Sequence, residues 1–166
     1  MRSMPVRKAS PTSPDAARFK RVVGGKRVMA EPGRALPVPT PETQGFWDGA
    51  NAGELRLQRC DACGKNYFPP RPFCPGCASR KVSWFKASGK AVLWSYVIHH
   101  RPVPGFKPPY AIAIVQLAEG PRMMSNIVEC EQTPEALVLD MELEVVFEKQ
   151  NDAITLPLFR PIAAKG

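Results

Sequence analysis

The chain has 166 residues, of which 44% are hydrophobic and 23% charged, with a formal net charge of +8. That length and apolar content allow one ordinary domain or two small ones with a real core. The longest strictly apolar runs, such as Ala111-Ile112-Ala113-Ile114-Val115, are about five residues, far short of a membrane span, so no membrane partner is expected and a soluble protein is predicted.

The charge is unevenly placed. Residues 1–40 hold nine Lys/Arg against Asp15 and Glu31, a balance of +7, while the other 126 residues carry 14 basic and 13 acidic groups. Pro5, Pro11, Pro14, Pro32, Pro37 and Pro39 break any long amphipathic element there, so residues 1–40 read as a disordered basic tail. The same prolines argue against a mitochondrial presequence, and the N-terminus lacks an apolar run of seven or more. A cytoplasmic location follows as the expectation.

Residues 41–88 form the second segment. Thr43 to Ala50 reads as a short helix carrying the adjacent aromatics Phe46 and Trp47, and a strand from Leu55 to Arg59 follows Gly53. Next come two Cys-x-x-Cys pairs, Cys60/Cys63 and Cys74/Cys77, separated by ten residues. Gly64 and Gly76 offer positive φ for the two turns, and Pro75 presets the opening of the second. Four thiolates at about 2.3 Å around a tetrahedral ion leave no open position, so a structural Zn2+ is predicted and a catalytic one is not. Disulfides suit a secreted chain, and a redox Cys-x-x-Cys should open a helix, which Pro75-Gly76 disfavours. Between the pairs, Tyr67 to Arg71 is read as extended because Pro69 and Pro70 restrict their predecessors. Val82 to Phe85 closes the ribbon.

Residues 89–166 read as strands near 90–100, 110–117, 122–128, 142–149 and 153–159. Leu143, Val145 and Phe147 alternate with glutamates, whereas 110–117 is apolar on both sides and is expected to be covered on both. Met123 and Met124 take opposite sides and read as core. Thr133-Pro134, an N-cap followed by proline, predicts a short helix before the fourth of these strands. Five strands with a helix in that gap is the order of an OB-type barrel, and the fold class is mostly β. Cys130 reads as a small hydrophobe.

These residues resemble a known family, the zinc-ribbon/OB-fold proteins first catalogued as domain of unknown function number 35. The likeness runs from about Phe46 to Pro161 and rests on Phe46-Trp47, Gly53-Glu54-Leu55, the Cys60 and Cys74 knuckles, Pro69-Pro70-Arg71, Gly89, Pro108-Pro109-Tyr110, Glu119-Gly120-Pro121 and Phe159-Arg160-Pro161. It departs at Leu139-Asp140-Met141, where the family usually has a glycine. The resemblance implies a rubredoxin-like ribbon and a non-catalytic accessory subunit. Such a subunit docks on a thiolase-like protein as a hetero-oligomer and helps hold an acyl-CoA thioester, in an aldolase acting on steroid side chains or in an acyltransferase.

His99, His100 and Arg101 end the first barrel strand, a solvated terminus that is also placed to meet an anionic part of acyl-CoA. Neighbouring strand residues point to opposite faces, so the two histidines cannot jointly face one substrate. Arg71 and Arg160 sit in proline-framed segments suited either to thioester recognition or to a ribbon-to-barrel ion pair. Phe46 and Trp47 are candidate docking anchors with the ribbon, or pack against the protein's own ribbon. The competing function is a single-stranded nucleic-acid module, but the second and third barrel strands offer Tyr110 and Arg122 and little else, so nucleic acid is not the expected partner. A stand-alone thioesterase or hydratase is the third possibility.

Overall fold

A computed structural model describes residues 33–162. The tail expectation for residues 1–32 therefore lies outside the described residues. From residue 33 the chain runs without regular structure into α1 (Gln44–Asn51), the first element of a mostly β architecture. Phe46, Gly49 and Ala50 form the buried side of α1. Phe46 meets Trp47 edge-on at 4.9 Å and Phe68 at 5.3 Å, which ties the helix to the ribbon.

The ribbon is a three-stranded antiparallel sheet of β1 (Arg56–Cys60), β2 (Asn66–Tyr67) and β3 (Val82–Lys86), in the order β2-β1-β3. Its inward side chains, Leu55 and Leu57, share one continuous apolar core with Phe46 and with the barrel residues Leu93, Val115, Leu143 and Phe159. Glu54 lies beside it, and hydrogen bonds from Arg56 and Lys86 hold its carboxyl below the usual carboxylate range.

The barrel consists of β4 (Lys90–His99), β5 (Tyr110–Leu117), β6 (Arg122–Ile127), β7 (Glu142–Lys149) and β8 (Thr155–Pro161). It closes in the order β4-β5-β6-β8-β7, with a parallel step where Ile127 meets Phe159. This is the expected five-stranded OB barrel. The predicted helix at Thr133 is instead a single turn: Thr133 Oγ1 accepts the Ala136 N–H at 3.3 Å and its carbonyl accepts the Leu137 N–H at 3.1 Å. One turn has too few bonds to offset nucleation, and burying Leu137 against the core fixes it without further helix.

Two burial expectations are corrected. Ala111, Ala113, Val115 and Leu117 of β5 are buried, but Ile112 and Ile114 on the outer side are only partly covered. Met124, read as core, is 68% exposed, while its neighbour Met123 is buried. The outer side lacks full cover because α1 packs mainly against β1 and β8 and leaves an open groove between itself and β5.

Backbone constraints set the joints. Glu119, in the β5–β6 turn, accepts the Ser88 N–H through Oε1 at 2.6 Å, and its carbonyl accepts from the Asn66 amide at 3.0 Å, so ribbon and barrel are pinned together. Asp140 stands where a glycine was expected and takes φ +64°, a conformation that Asp tolerates better than most side chains. Gly89, at the ribbon-to-barrel passage, has φ +76°, and a Cβ there would lie 2.6 Å from Val145 Cγ1. Gly89→Ala is therefore expected to destabilise the chain by about 1–3 kcal/mol through combined strain and overpacking, measured by urea unfolding, with zinc content unchanged.

Candidate metal centre and apolar groove

Two matching knuckles build the metal centre. In the first, the Cys60 carbonyl accepts the Gly64 N–H at 2.8 Å and the Lys65 carbonyl accepts the Cys60 N–H at 2.9 Å. In the second, the Cys74 carbonyl accepts the Ala78 N–H at 2.9 Å and the Ser79 carbonyl accepts the Cys74 N–H at 2.8 Å. Gly64 has the expected positive φ, but in the second knuckle Ala78 takes it at +59° and Gly76 does not. The knuckle demands that conformation four residues after its first cysteine. That position matches Gly64 in one case and Ala78 in the other.

The four sulfurs lie within 4.8 Å of one another, with Cys60–Cys77 and Cys63–Cys74 each at 3.6 Å. A tetrahedron with 2.3 Å metal–sulfur bonds has edges of about 3.8 Å, so the donor set fits a zinc ion directly. Cys60 and Cys74 are buried, and Cys63 and Cys77 face solvent. Burial pushes the Cys74 thiol up, but the N–H groups of Gly76 and Cys77 and the neighbouring sulfurs outweigh it and draw it down to about 7. At Cys77 the Ser79 N–H favours the thiolate, yet the Cys63 and Cys60 sulfurs, helped by burial, push it up to about 12. Thiolates so crowded repel one another, and a bound cation is what lets all four ionise. Behind them Tyr67 is buried, and that burial, followed by the charges of Cys74 and Cys60, raises its phenol above the ordinary value. Tyr67 stays a neutral donor, aimed at the Arg71 carbonyl at 3.4 Å.

The second feature is an apolar groove of about 420 Å³ between α1, the loop after β4, β5, β6 and β8. Phe46 and Trp47 form one wall and Phe106, Tyr110 and Ile112 another, and no acidic residue lines it. Arg34 sits at its edge, with the guanidinium 4.3 Å over the Phe106 ring and a 3.0 Å hydrogen bond to Asn126 Oδ1. Phe106 stacks on Tyr110 at 4.6 Å and Tyr110 meets His99 at 5.1 Å, so a cation and three rings form a row.

Of the predicted site residues, Phe46 and Trp47 line the groove, and His99 reaches its edge through Tyr110. Phe46 is buried and offers almost no surface, whereas Trp47 is half-buried. Arg71 and Arg101 are exposed and do not line the groove. The Arg71 N–H is held by Gln58 Oε1 at 2.7 Å, and the Arg101 carbonyl lies 3.1 Å from His99 Nδ1. Arg160 pairs with Glu129 and Glu144, each at 2.8 Å, within the barrel and not across to the ribbon. Cys130 is half-buried, and burial raises its thiol. Arg34 and Phe106 were missed. Their signal, a cation and an aromatic 72 residues apart in sequence, becomes a pair only when the loop after β4 folds back.

The description "ChsH2, rubredoxin-like zinc ribbon domain" matches residues 47–83, and "ChsH2, C-terminal OB-fold domain" matches residues 84–148. A DUF35 domain-containing scaffold protein of Methanothermobacter thermautotrophicus is 40% identical over 101 residues, covering 59% of this chain and 74% of that relative. The chain belongs to the DUF35 family. A probable enoyl-CoA hydratase alpha subunit of Thermomonospora curvata is 36% identical over 118 residues, covering 70% of this chain. This DUF35 chain spans only 36% of that subunit's length. Among solved structures, the Ltp2-ChsH2(DUF35) aldolase contains a chain 33% identical to this one, with a TM-score of 0.68, covering 76% of this chain and 98% of that one.

The four-cysteine ribbon is expected to hold one zinc per chain by elemental analysis. Cys60→Ser should lose most of the metal and melt the ribbon at room temperature, because a site of this type supplies about 10–16 kcal/mol in small folds.

Proposed function

We propose that the protein is an accessory subunit of a thiolase-like acyl-CoA enzyme. In this reading it docks on the enzyme as a hetero-oligomer, and its groove receives part of the thioester in an aldolase or acyltransferase complex. The observation that carries the reading is the match of ribbon and barrel together to nearly the whole DUF35 chain of an aldolase complex. The groove supports it chemically: an acyl body finds aromatic and aliphatic walls, while Arg34, with His99 at the edge against Tyr110, offers charge and a polar partner to the polar end. The zinc builds the ribbon when bound, and the residues that meet the thioester belong to the groove. A cytoplasmic setting belongs to the same proposal; among the described residues no helix is long and apolar enough to cross a membrane.

The nucleic-acid reading draws on the row of Arg34, Phe106, Tyr110 and His99. It is weakened because Tyr110 is the one aromatic ring and Arg122 the one cation that β5 and β6, the second and third barrel strands, contribute.

The test is co-expression of the full chain with a thiolase-like acyl-CoA enzyme of the same organism. The two should elute together from a sizing column, and separate elution removes the proposal. In the assembled enzyme, Arg34→Ala should raise KM for acyl-CoA roughly tenfold with a smaller effect on kcat, the signature of lost ground-state binding. An unchanged KM would take the groove out of substrate recognition.

A further inference from the structure

The outer side of β4, β5 and β6 carries a surface that the groove does not explain. Trp94 is 47% exposed, Val97 56% and Met124 68%. Isolated exposed apolar residues are ordinary, but these share one face by register. Val97 pairs with Ile112, Ile114 pairs with Met124, and both isoleucines are only partly covered. Trp94 joins them through a bulge: the β4–β5 register shifts between Leu93 and Ser95, so Trp94 and Ser95 both turn outward while Leu93 stays fully buried. Without the bulge, residues 94 and 97 would point to opposite sides; the extra residue puts both on the outer one. Arg122 then lies 3.5 Å over the Trp94 ring and donates to Gln116 Oε1 at 2.8 Å, so the indole is held in place before any contact is made.

The occupant follows from the chemistry of the face. Arg122 is the charge beside Trp94, Arg34 lies at the other end on Asn126, and the paired segments of β4, β5 and β6 contribute no carboxylate. Of the nearby acidic side chains, Glu119 in the β5–β6 turn accepts the Ser88 N–H, Glu129 pairs with Arg160, and Glu142, Glu144 and Glu148 lie on β7. An isologous contact with a second copy would set two cationic faces together, with acid only at the rim, where Glu142 pairs with Val92. A nucleic acid strand needs several cations beside open ring faces, whereas this face has Arg122, already lying over the Trp94 ring, and Arg34 at its far end on Asn126, with aliphatic side chains between them. A protein surface with an apolar centre and a carboxylate opposite Arg122 fits. Trp, Met and Arg are also the residue types that enrich protein interfaces.

Resting on the accessory-subunit reading, we propose that the enzyme partner seats on this barrel face, with Trp94 and Met124 as anchors. The ribbon and α1 are then not the main docking surface. Ile112 and Met124 belong both to this face and to the groove wall, so a partner seated here also walls off one side of the groove.

The experiment uses the full chain co-expressed with the thiolase-like enzyme, in wild-type form and as Met124→Asp, Trp94→Ala and Phe73→Asp. The last alters an exposed ribbon residue on the other candidate surface. Met124→Asp and Trp94→Ala should each weaken association by roughly thirtyfold, while Phe73→Asp leaves it intact. Loss with Phe73→Asp and retention with the other two overturns the inference but leaves the accessory-subunit reading standing. Failure of wild-type protein to associate overturns both. Hydroxyl-radical footprinting of the wild-type complex decides the matter even if a variant misfolds: oxidation of Met124 should fall severalfold on complex formation, and an unchanged rate overturns the inference. Self-association of the isolated chain that Met124→Asp abolishes, or oligonucleotide binding that Trp94→Ala abolishes, assigns the face elsewhere and also overturns it.

Discussion

Four thiolates drawn onto one cation are the constraint on which the ribbon depends. The ribbon sheet has strands of five, two and five residues, and its interior is little more than Leu55, Leu57 and Tyr67. So few apolar side chains do not offset the entropy of ordering the two knuckles. The metal centre supplies the difference, and because Cys60 ends β1 while Cys74 begins the second knuckle, it also fixes where β3 returns to pair with β1. The geometry around the sulfurs already has the dimensions of a zinc tetrahedron, with backbone N–H groups arranged to favour the charged form at Cys74.

From that fixed platform one apolar core continues through α1 and the ribbon into the barrel. The Phe46 cluster, the Glu119 joint and the tight passage at Gly89 all limit rotation between the two parts. A rigid joint has a functional consequence. The groove draws its walls from α1, the ribbon residue Phe68 and the barrel together, so its shape is set before a ligand arrives. Preorganisation of this kind lowers the entropic cost of binding.

Charge is distributed along the same axis. The near-neutral balance of residues 41–166 conceals a ribbon region, residues 54–89, with seven basic and two acidic groups, and a final segment, residues 129–162, with eight acidic and two basic groups. The thiolate-bound metal centre carries net negative charge and offsets part of the ribbon's excess. On the barrel, Glu144 and Glu129 are held by Arg160, which makes that arginine a brace between β7, β8 and the loop after β6.

The two Cys-x-x-Cys pairs determined the metal centre from the sequence alone, because ligand spacing and turn chemistry are local. Strand positions were equally legible for β5, where seven of eight residues are apolar, and for β7, where Leu143, Val145 and Phe147 recur at every second position. The short helix at Thr133 failed because a good N-cap and proline start a turn but cannot lengthen it. Tertiary contact decided the rest. Only pairing with β5 reveals the bulge that sets Trp94 and Val97 on one face, and only chain reversal brings Arg34 over Phe106. Likewise, Ala78 and Asp140 hold positive φ because the folds around them require it, at positions where no glycine signals the turn. Local rules set which residues bind the metal and which form strands, whereas the exposed faces and the groove arise from contacts between segments far apart in the chain, which no local pattern encodes.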